Sequence, residues 1–304
     1  MSARASSRPW QVHAALAGAQ VGFSLFPILG KLVLASLPPL LFAALRAVAA
    51  AVLLEAFRRL HRDPERIRRS DLPRLVLYGL LGVSFNQILF ILGLSLTTAI
   101  NTSVLTSTIP VFTLAAASLL GRERLTAPAA VGVGLAGAGA LTLLNVQHFD
   151  WGSASVRGDL LLLANCTSYS LYLVLSRPVL AHYRVVTFTA AVFRYGAVLI
   201  AALAVPDLLR FDPSRVTARA WASLAGVILL CTVIPYLLNS WALARTHASH
   251  VALYVFIQPL FSTALAIAIL GEALTAKTVL AALLIFAGLA VSVPRVRLPA
   301  RPLP

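Results

Sequence analysis

The sequence predicts an all-α polytopic membrane protein of ten transmembrane helices, arranged as two inverted five-helix repeats. Three observations carry this expectation. The first is composition. Of the 304 residues 59% are apolar and only 12% are charged, whereas about a quarter of a soluble domain is Asp, Glu, Lys and Arg. So few charges cannot cover a surface facing water, and the apolar excess suits a chain whose outer face meets lipid. The second is a recurrence of apolar runs long enough to cross a bilayer. The third is an internal repeat, in which the chain matches itself after a shift of 149 residues. Together they argue against a soluble enzyme, a DNA-binding domain or a disordered tail.

A spanning helix needs roughly 20 mostly apolar residues. Runs of that kind lie at 12–36, 39–57, 74–94, 98–120, 127–144, 159–180, 187–205, 220–243, 249–270 and 276–293. The first run follows Arg4 and Arg8 but is longer than a signal-peptide core and carries Lys31, so it reads as a retained span. Segments 1–11 and 294–304 are terminal tails, 12–144 and 159–293 are the two repeats, and 145–158 connects them. The net charge of +15 is not a nucleic-acid stripe, because its densest cluster (Arg58, Arg59, Arg62, Arg66, Arg68, Arg69 and Arg74) separates two apolar runs. With the N-terminus inside, 17 Lys and Arg fall on the cytoplasmic side and 5 on the other. That bias places both termini in the cytoplasm and suits an inner membrane. Cys166 and Cys231 each lie within an apolar run. They form neither a disulfide framework nor a metal-binding spacing.

The repeat is clearest where each half closes. Pro110 aligns with Pro259, Phe112 with Phe261, Glu123 with Glu272, Leu125-Thr126 with Leu274-Thr275, and Ala138-Gly139 with Ala287-Gly288. With slightly smaller offsets, Arg46 aligns with Arg194 and Lys31 with Arg177. Five spans per half mean that the second copy enters the membrane from the opposite side. Inverted repeats of this kind build many secondary transporters, with the substrate near the midplane. On these residues each half resembles one EamA repeat of the drug/metabolite transporter superfamily. The matching pieces are the inner Arg of the second span, the span-central Pro before an apolar run, and the closing Glu-x-Leu-Thr. The first half departs from the pattern at Gly121-Arg122-Glu123, where an Arg separates the usual Gly-Glu pair. The resemblance implies a ten-helix fold and export or exchange of small metabolites.

Candidate site residues are the polar groups inside spans, which are costly unless they face the bundle interior or a wet cavity. Asn165, Tyr169 and Tyr172 stand at i, i+4 and i+7 on the sixth span, and Tyr254 and Gln258 at i and i+4 on the ninth. Gln20 marks the first span, Asn86 the third, Thr102 and Thr106 the fourth, and Asn239 with Trp241 the eighth. Converging, they would form a small-molecule pocket with aromatic walls; the alternative is hydrogen bonding between helices. Pro110 and Pro259 free the carbonyls of Thr106 and Val255, which suits a kink or gate beside the cavity. Arg46 and Arg194 lie about two turns into their spans, where they either attract an anionic group or hold the fold; their recurrence favours the structural role. Glu123 and Glu272 sit at span ends, where a helix cap or a local salt bridge is the plainer explanation. Gly132, Gly134 and Gly137 match a dinucleotide fingerprint but lie inside an apolar run with no preceding strand, so helix packing is expected. The histidines, including His247 and His250 near the ninth span, are expected to be solvated.

All ten acidic residues lie in loops or near span ends, so no carboxylate is available at a span centre for ion coupling or acid–base chemistry. The expectation is therefore a secondary carrier that moves a small organic metabolite, amino acid or drug outward by alternating access. Its expected partners are that substrate and the bilayer, with a second copy of the chain as a candidate partner, and no nucleic acid, cofactor or metal. A membrane-embedded lipid-modifying enzyme and a non-transporting receptor or scaffold are the alternative classes. The charge bias predicts that reporters fused after Met1 and Pro304 both report the cytoplasmic side; reporters on opposite faces would overturn the assignment.

Overall fold

The protein is described by a computed structural model covering residues 9–60, 65–122, 126–144 and 153–292. Its regular structure there is helical throughout, as lipid demands, since a spanning backbone must pair its own polar groups. In chain order the first half contains α1 (Pro9–Ser24), α2 (Phe26–Leu34), α3 (Pro39–Leu60), α4 (Leu72–Gly79), α5 (Asn86–Leu96), α6 (Ala99–Thr106), α7 (Ile109–Leu119) and α8 (Ala127–Leu144). The second half contains α9 (Ala154–Leu180), α10 (Val185–Leu203), the short α11 (Val205–Leu209), α12 (Ala218–Ile228), α13 (Ile234–Leu243), α14 (Ala248–Leu253), α15 (Ile257–Leu265) and α16 (Ala276–Ser292). Several are pieces of one rod. Among the described residues, eight continuous helical stretches are long and apolar enough to cross a membrane, and two shorter apolar helices lie within α8 and α16. The eight overlap eight of the ten expected spans, and the two shorter helices fall at the expected fifth and tenth. The outward face is apolar, with Val52, Val198, Leu260 and Leu283 between 61% and 65% exposed. The chain is a multi-pass membrane protein.

The helices break in matched places. A π-helical stretch at Leu80–Phe85 joins α4 to α5, and another at Leu229–Val233 joins α12 to α13, starting 149 residues later. The starts of α6 and α14, and of α8 and α16, are also 149 residues apart. Proline explains several breaks: Pro27, Pro110 and Pro235 each stand in the first turn of a new helix, where a missing N–H costs nothing. Gly121, just after α7, and Gly271, just after the π stretch Ala266–Leu270 that continues α15, are left-handed (φ 66° and 67°), a conformation that residues with a Cβ rarely adopt.

Packing is reciprocal between the halves. The helix α3 lies on α10 and α8 on α16, each pair joining corresponding elements, while α1 packs on α13 and α15 as α9 packs on α5, α6 and α7. Glycines permit the closest approaches. A Cβ on Gly196 would stand 2.5 Å from the Gly79 carbonyl oxygen, and one on Gly288 2.5 Å from that of Gly132. Around Gly134 and Gly137, in contrast, nothing lies within 4 Å of a built Cβ. The packing expected of that glycine run therefore holds at Gly132 alone, and the other two face outward.

Polar groups near the span ends make the same tie once within each half. Lys31 Nζ donates to the Thr97 carbonyl at 2.5 Å, and Arg177 Nε to the Thr246 carbonyl at 2.7 Å. These are the two cations, and the two threonines, that the repeat aligns. Glu272 reaches into the first half, where its carboxylate oxygens accept from the backbone N–H groups of Ala99 and Ile100 at 2.8 and 2.9 Å. It caps the start of α6, satisfying two of the N–H groups that a helix N-terminus leaves unpaired. Its counterpart Glu123 lies outside the described residues. On the loop side, Tyr183 donates to Asp71 Oδ2 at 2.7 Å, and Glu65 Oε2 accepts from the Arg184 N–H at 2.6 Å. Burial, and then the bond to Asp71, push the Tyr183 phenol above its ordinary range.

Gly196→Ala forces α10 away from α4 and is expected to cost about 1–3 kcal/mol, the usual range for overpacking, whereas Gly134→Ala is expected to be neutral. Thermal unfolding of detergent-purified protein, followed by size-exclusion profile, checks this; equal melting temperatures would refute the packing account.

Candidate functional site

Between the two halves lies a cavity with about 60 Å³ of room for water. That is enough for a few molecules, since one water needs on the order of 10–15 Å³. Aromatic rings form much of its wall. Phe23 and Phe26 flank the break between α1 and α2, Phe90 projects from α5, and Tyr169 and Tyr236 come from the second half. Phe26 stacks on Phe90 with centroids 4.6 Å apart, and Phe23 meets the Tyr236 ring edge-on at 5.6 Å, with Phe193 edge-on to the same ring at 4.8 Å. The polar lining is Arg46, Asn86, Thr106, Asn165 and Gln258, with Ile109 beside Thr106.

These groups converge because the helices are interrupted here. An i→i+5 stretch leaves carbonyls without α-helical partners, and side chains of the other half fill the gaps. Ser168 Oγ donates to the Leu81 carbonyl at 2.8 Å, and Tyr236 Oη lies 3.2 Å from both the Gly82 carbonyl and Asn86 Oδ1. Asn165 Nδ2 donates to the Asn86 carbonyl at 2.7 Å. Around the break before Pro110, the Leu105 carbonyl accepts from Thr108 Oγ1 at 2.7 Å and the Ile109 carbonyl from Ser170 Oγ at 3.1 Å. At the matching break in the second half, Gln258 Nε2 donates to Gln20 Oε1 at 2.6 Å, and Ser262 Oγ to the Ser24 carbonyl at 2.7 Å. Each bond seals an interrupted backbone or joins two spans, and together they position the cavity wall.

Arg46 is the single charged residue among those lining the cavity, and it is 2% exposed. Its Nε donates to Thr232 Oγ1 at 2.7 Å, and Thr232, in the π stretch at Leu229–Val233, in turn donates to the Val227 carbonyl of α12 at 2.7 Å. The guanidinium stands 3.9 Å from the centroid of the Phe26 ring. Among the described residues no carboxylate pairs with it. Holding such a charge inside a membrane costs roughly 3 kcal/mol on insertion scales. Arg194, its aligned counterpart, is exposed instead, and leans over the neighbouring Tyr195 ring at 5.0 Å.

Of the side chains selected from the sequence, Asn86, Thr106, Asn165, Tyr169 and Gln258 line the cavity. Gln20 and Asn239 stand directly behind it, Gln20 on Gln258 and Asn239 Nδ2 donating to Tyr169 Oη at 2.9 Å. Tyr172 stacks on Tyr169 with centroids 5.8 Å apart, and its ring covers Gly82. Three lie elsewhere. Thr102 is buried with its hydroxyl on the Thr98 carbonyl. Trp241 lies beneath the Arg245 guanidinium at 4.0 Å. Tyr254 bonds to His13, and both rings adjoin His250. His13 and His250 are thus partly buried against aromatic neighbours, not fully solvated. Pro110 and Pro259 sit at the two matched breaks. The sequence reading passed over Phe23, Phe26, Phe90, Ile109 and Tyr236 as wall residues. Tyr236 had a signal, because it shares a helix face with Asn239 three residues on. Gln87 is fully buried, and neither amide atom has a hydrogen-bond partner among the described residues.

The cavity therefore offers one fixed positive charge, amide and hydroxyl groups, and aromatic faces. No group of three or more His, Cys, Asp or Glu able to hold a metal lies among the described residues. Comparison with known proteins agrees with a membrane carrier. The EamA-like transporter family matches the chain twice, over residues 11–145 and 156–293. An uncharacterized transporter of Archaeoglobus fulgidus is 28% identical over 80% of this chain and 83% of its own length. The uncharacterized transporter YetK of Bacillus subtilis is 24% identical over 86% of this chain and 79% of its own length. The Arabidopsis thaliana protein WALLS ARE THIN 1 is 25% identical over 92% and 81%. One solved crystal structure shares the fold with a TM-score of 0.67 at 21% identity, covering 94% of this chain and 99% of the other.

Proposed function

The chain belongs to the EamA-like transporter family, and from that premise we propose that it is a secondary carrier exporting a small organic solute across the inner membrane by alternating access. In this reading ten spans form two inverted halves, and both termini are cytoplasmic. The substrate rests among Asn86, Thr106, Asn165, Tyr169 and Gln258, with Gln20, Asn239 and Tyr172 holding those groups in place. Pro110 and Pro259 act as hinges.

One observation carries the proposal: a polar, aromatic-walled cavity enclosed by interrupted helices contributed by both halves. Its 60 Å³ falls far below the roughly 300–1,000 Å³ of a pocket that holds a small molecule. A solute of that size enters only if the halves move apart, which is what alternating access requires. The matched breaks supply the bending points. At each, the hydrogen-bond ladder is already interrupted, so bending there disrupts fewer bonds than bending a continuous helix.

Purified protein in liposomes is expected to give saturable flux of at least one solute from a panel of amino acids, organic acids and amphiphilic amines. Tyr169→Ala or Gln258→Ala is expected to weaken apparent affinity about tenfold, equivalent to ~1.4 kcal/mol. Pro259→Ala is expected to slow turnover while leaving equilibrium binding intact. Absence of flux for every member of the panel would count against a carrier.

A further inference from the structure

We propose that Arg46 is the anion-recognition group of the cavity, and that the substrate class is a monovalent organic acid with an apolar body. This deepens the carrier reading and rests on it. Guanidinium is permanently charged and has five N–H donors in one plane. Here a single donor, Nε, is taken by protein, through Thr232. Arg46 has no further hydrogen bond or ion pair within the described residues. The ionisable groups that act on it are the phenol of Tyr236 and the thiol of Cys231, both neutral at physiological pH. The cavity thus holds one uncompensated positive charge, with the donors of the terminal nitrogens left for a ligand.

Two features give that charge a geometry. Thr232 fixes the Nε edge, and the Phe26 ring lies against the guanidinium at 3.9 Å, an arrangement favourable to a cation. A carboxylate matches the remaining donors, since guanidinium and carboxylate pair through two parallel hydrogen bonds. The rings of Phe23, Phe90 and Tyr236 then receive the apolar remainder. A structural role shared with Arg194 does not account for the placement, because the aligned arginine points out of the bundle while Arg46 points into the cavity.

The charge count sets the class. No acidic side chain lines the cavity, so nothing there compensates an ammonium group. A simple organic acid is therefore favoured over a zwitterion or an amine. A single arginine neutralises one negative charge and leaves a dianion half paired.

The test uses a series of monocarboxylates graded in size from acetate to phenylacetate, their primary amides, and matched amines. Binding is read by thermal stabilisation in detergent, and flux by counterflow in liposomes. Wild-type protein is expected to bind and move at least one larger monocarboxylate, with its amide at least about tenfold weaker and the amine excluded. Arg46→Gln is expected to abolish the acid-over-amide preference by raising KM for the acid, while Arg46→Lys retains part of it. The comparison among probes on unmodified protein stands even where a variant fails to fold. Amides or amines moved as well as acids, with acids gaining nothing from Arg46, would overturn the assignment and leave the carrier standing. Acids that neither bind nor move would also overturn it. Acid binding lost in Arg46→Gln, with no flux of any probe, would retain the anion site and remove the carrier.

Discussion

A peptide group inside hydrocarbon must find a hydrogen-bond partner, and the site depends on how this chain meets that demand. A continuous helix meets it automatically. This protein interrupts its helices at matched positions and repairs the gaps with side chains from elsewhere in the bundle. Ser168 and Tyr236 serve the first π stretch, Ser170 the break before Pro110, and Ser262 the carbonyl of Ser24 beside the break in the first span. The repairing groups must come close, so the interruptions draw the halves together around one spot. The cavity forms where these local irregularities meet.

The approximate symmetry of the halves is strongest in the frame and weakest at the centre. Lys31 and Arg177 make the same bond to aligned threonines. The π stretches at Leu80–Phe85 and Leu229–Val233 begin at the same place in each repeat, and α3 meets α10 as α8 meets α16. The lining departs from that symmetry. Arg46 faces inward and Arg194 outward, while Phe26 and Phe90 stack on one side of the cavity. A duplicated frame thus surrounds a centre whose lining is not duplicated.

Much of the frame was legible in the sequence, because bilayer thickness imposes a run length and duplication leaves a fixed offset. The sixth-span face of Asn165, Tyr169 and Tyr172 was legible for a similar reason, since helical spacing shows which residues share a face. It does not show what that face meets. Trp241 and Tyr254 obey the same spacing arguments as the cavity residues, yet one lies under Arg245 and the other against His13. The π stretches compound the difficulty, because five-residue bonding rotates every later side chain relative to an unbroken helix. Phe26, Phe90 and Tyr236 escaped notice because an aromatic residue in an apolar run looks like any lipid-facing or core residue. Glu272 read as a helix cap or a partner in a local salt bridge; it is a cap, and the helix it caps lies in the opposite half.

The two cysteines have a practical consequence. Cys166 and Cys231 are both completely shielded, and Cys231 belongs to the π stretch that also holds the Thr232 partner of Arg46. In this conformation a water-borne maleimide reaches neither sulfur. The natural chain is therefore a silent background for spectroscopic labels attached at engineered surface sites. Slow alkylation of Cys231 would then register excursions to a conformation in which the bundle has parted, giving a chemical clock for opening without any alteration to the protein.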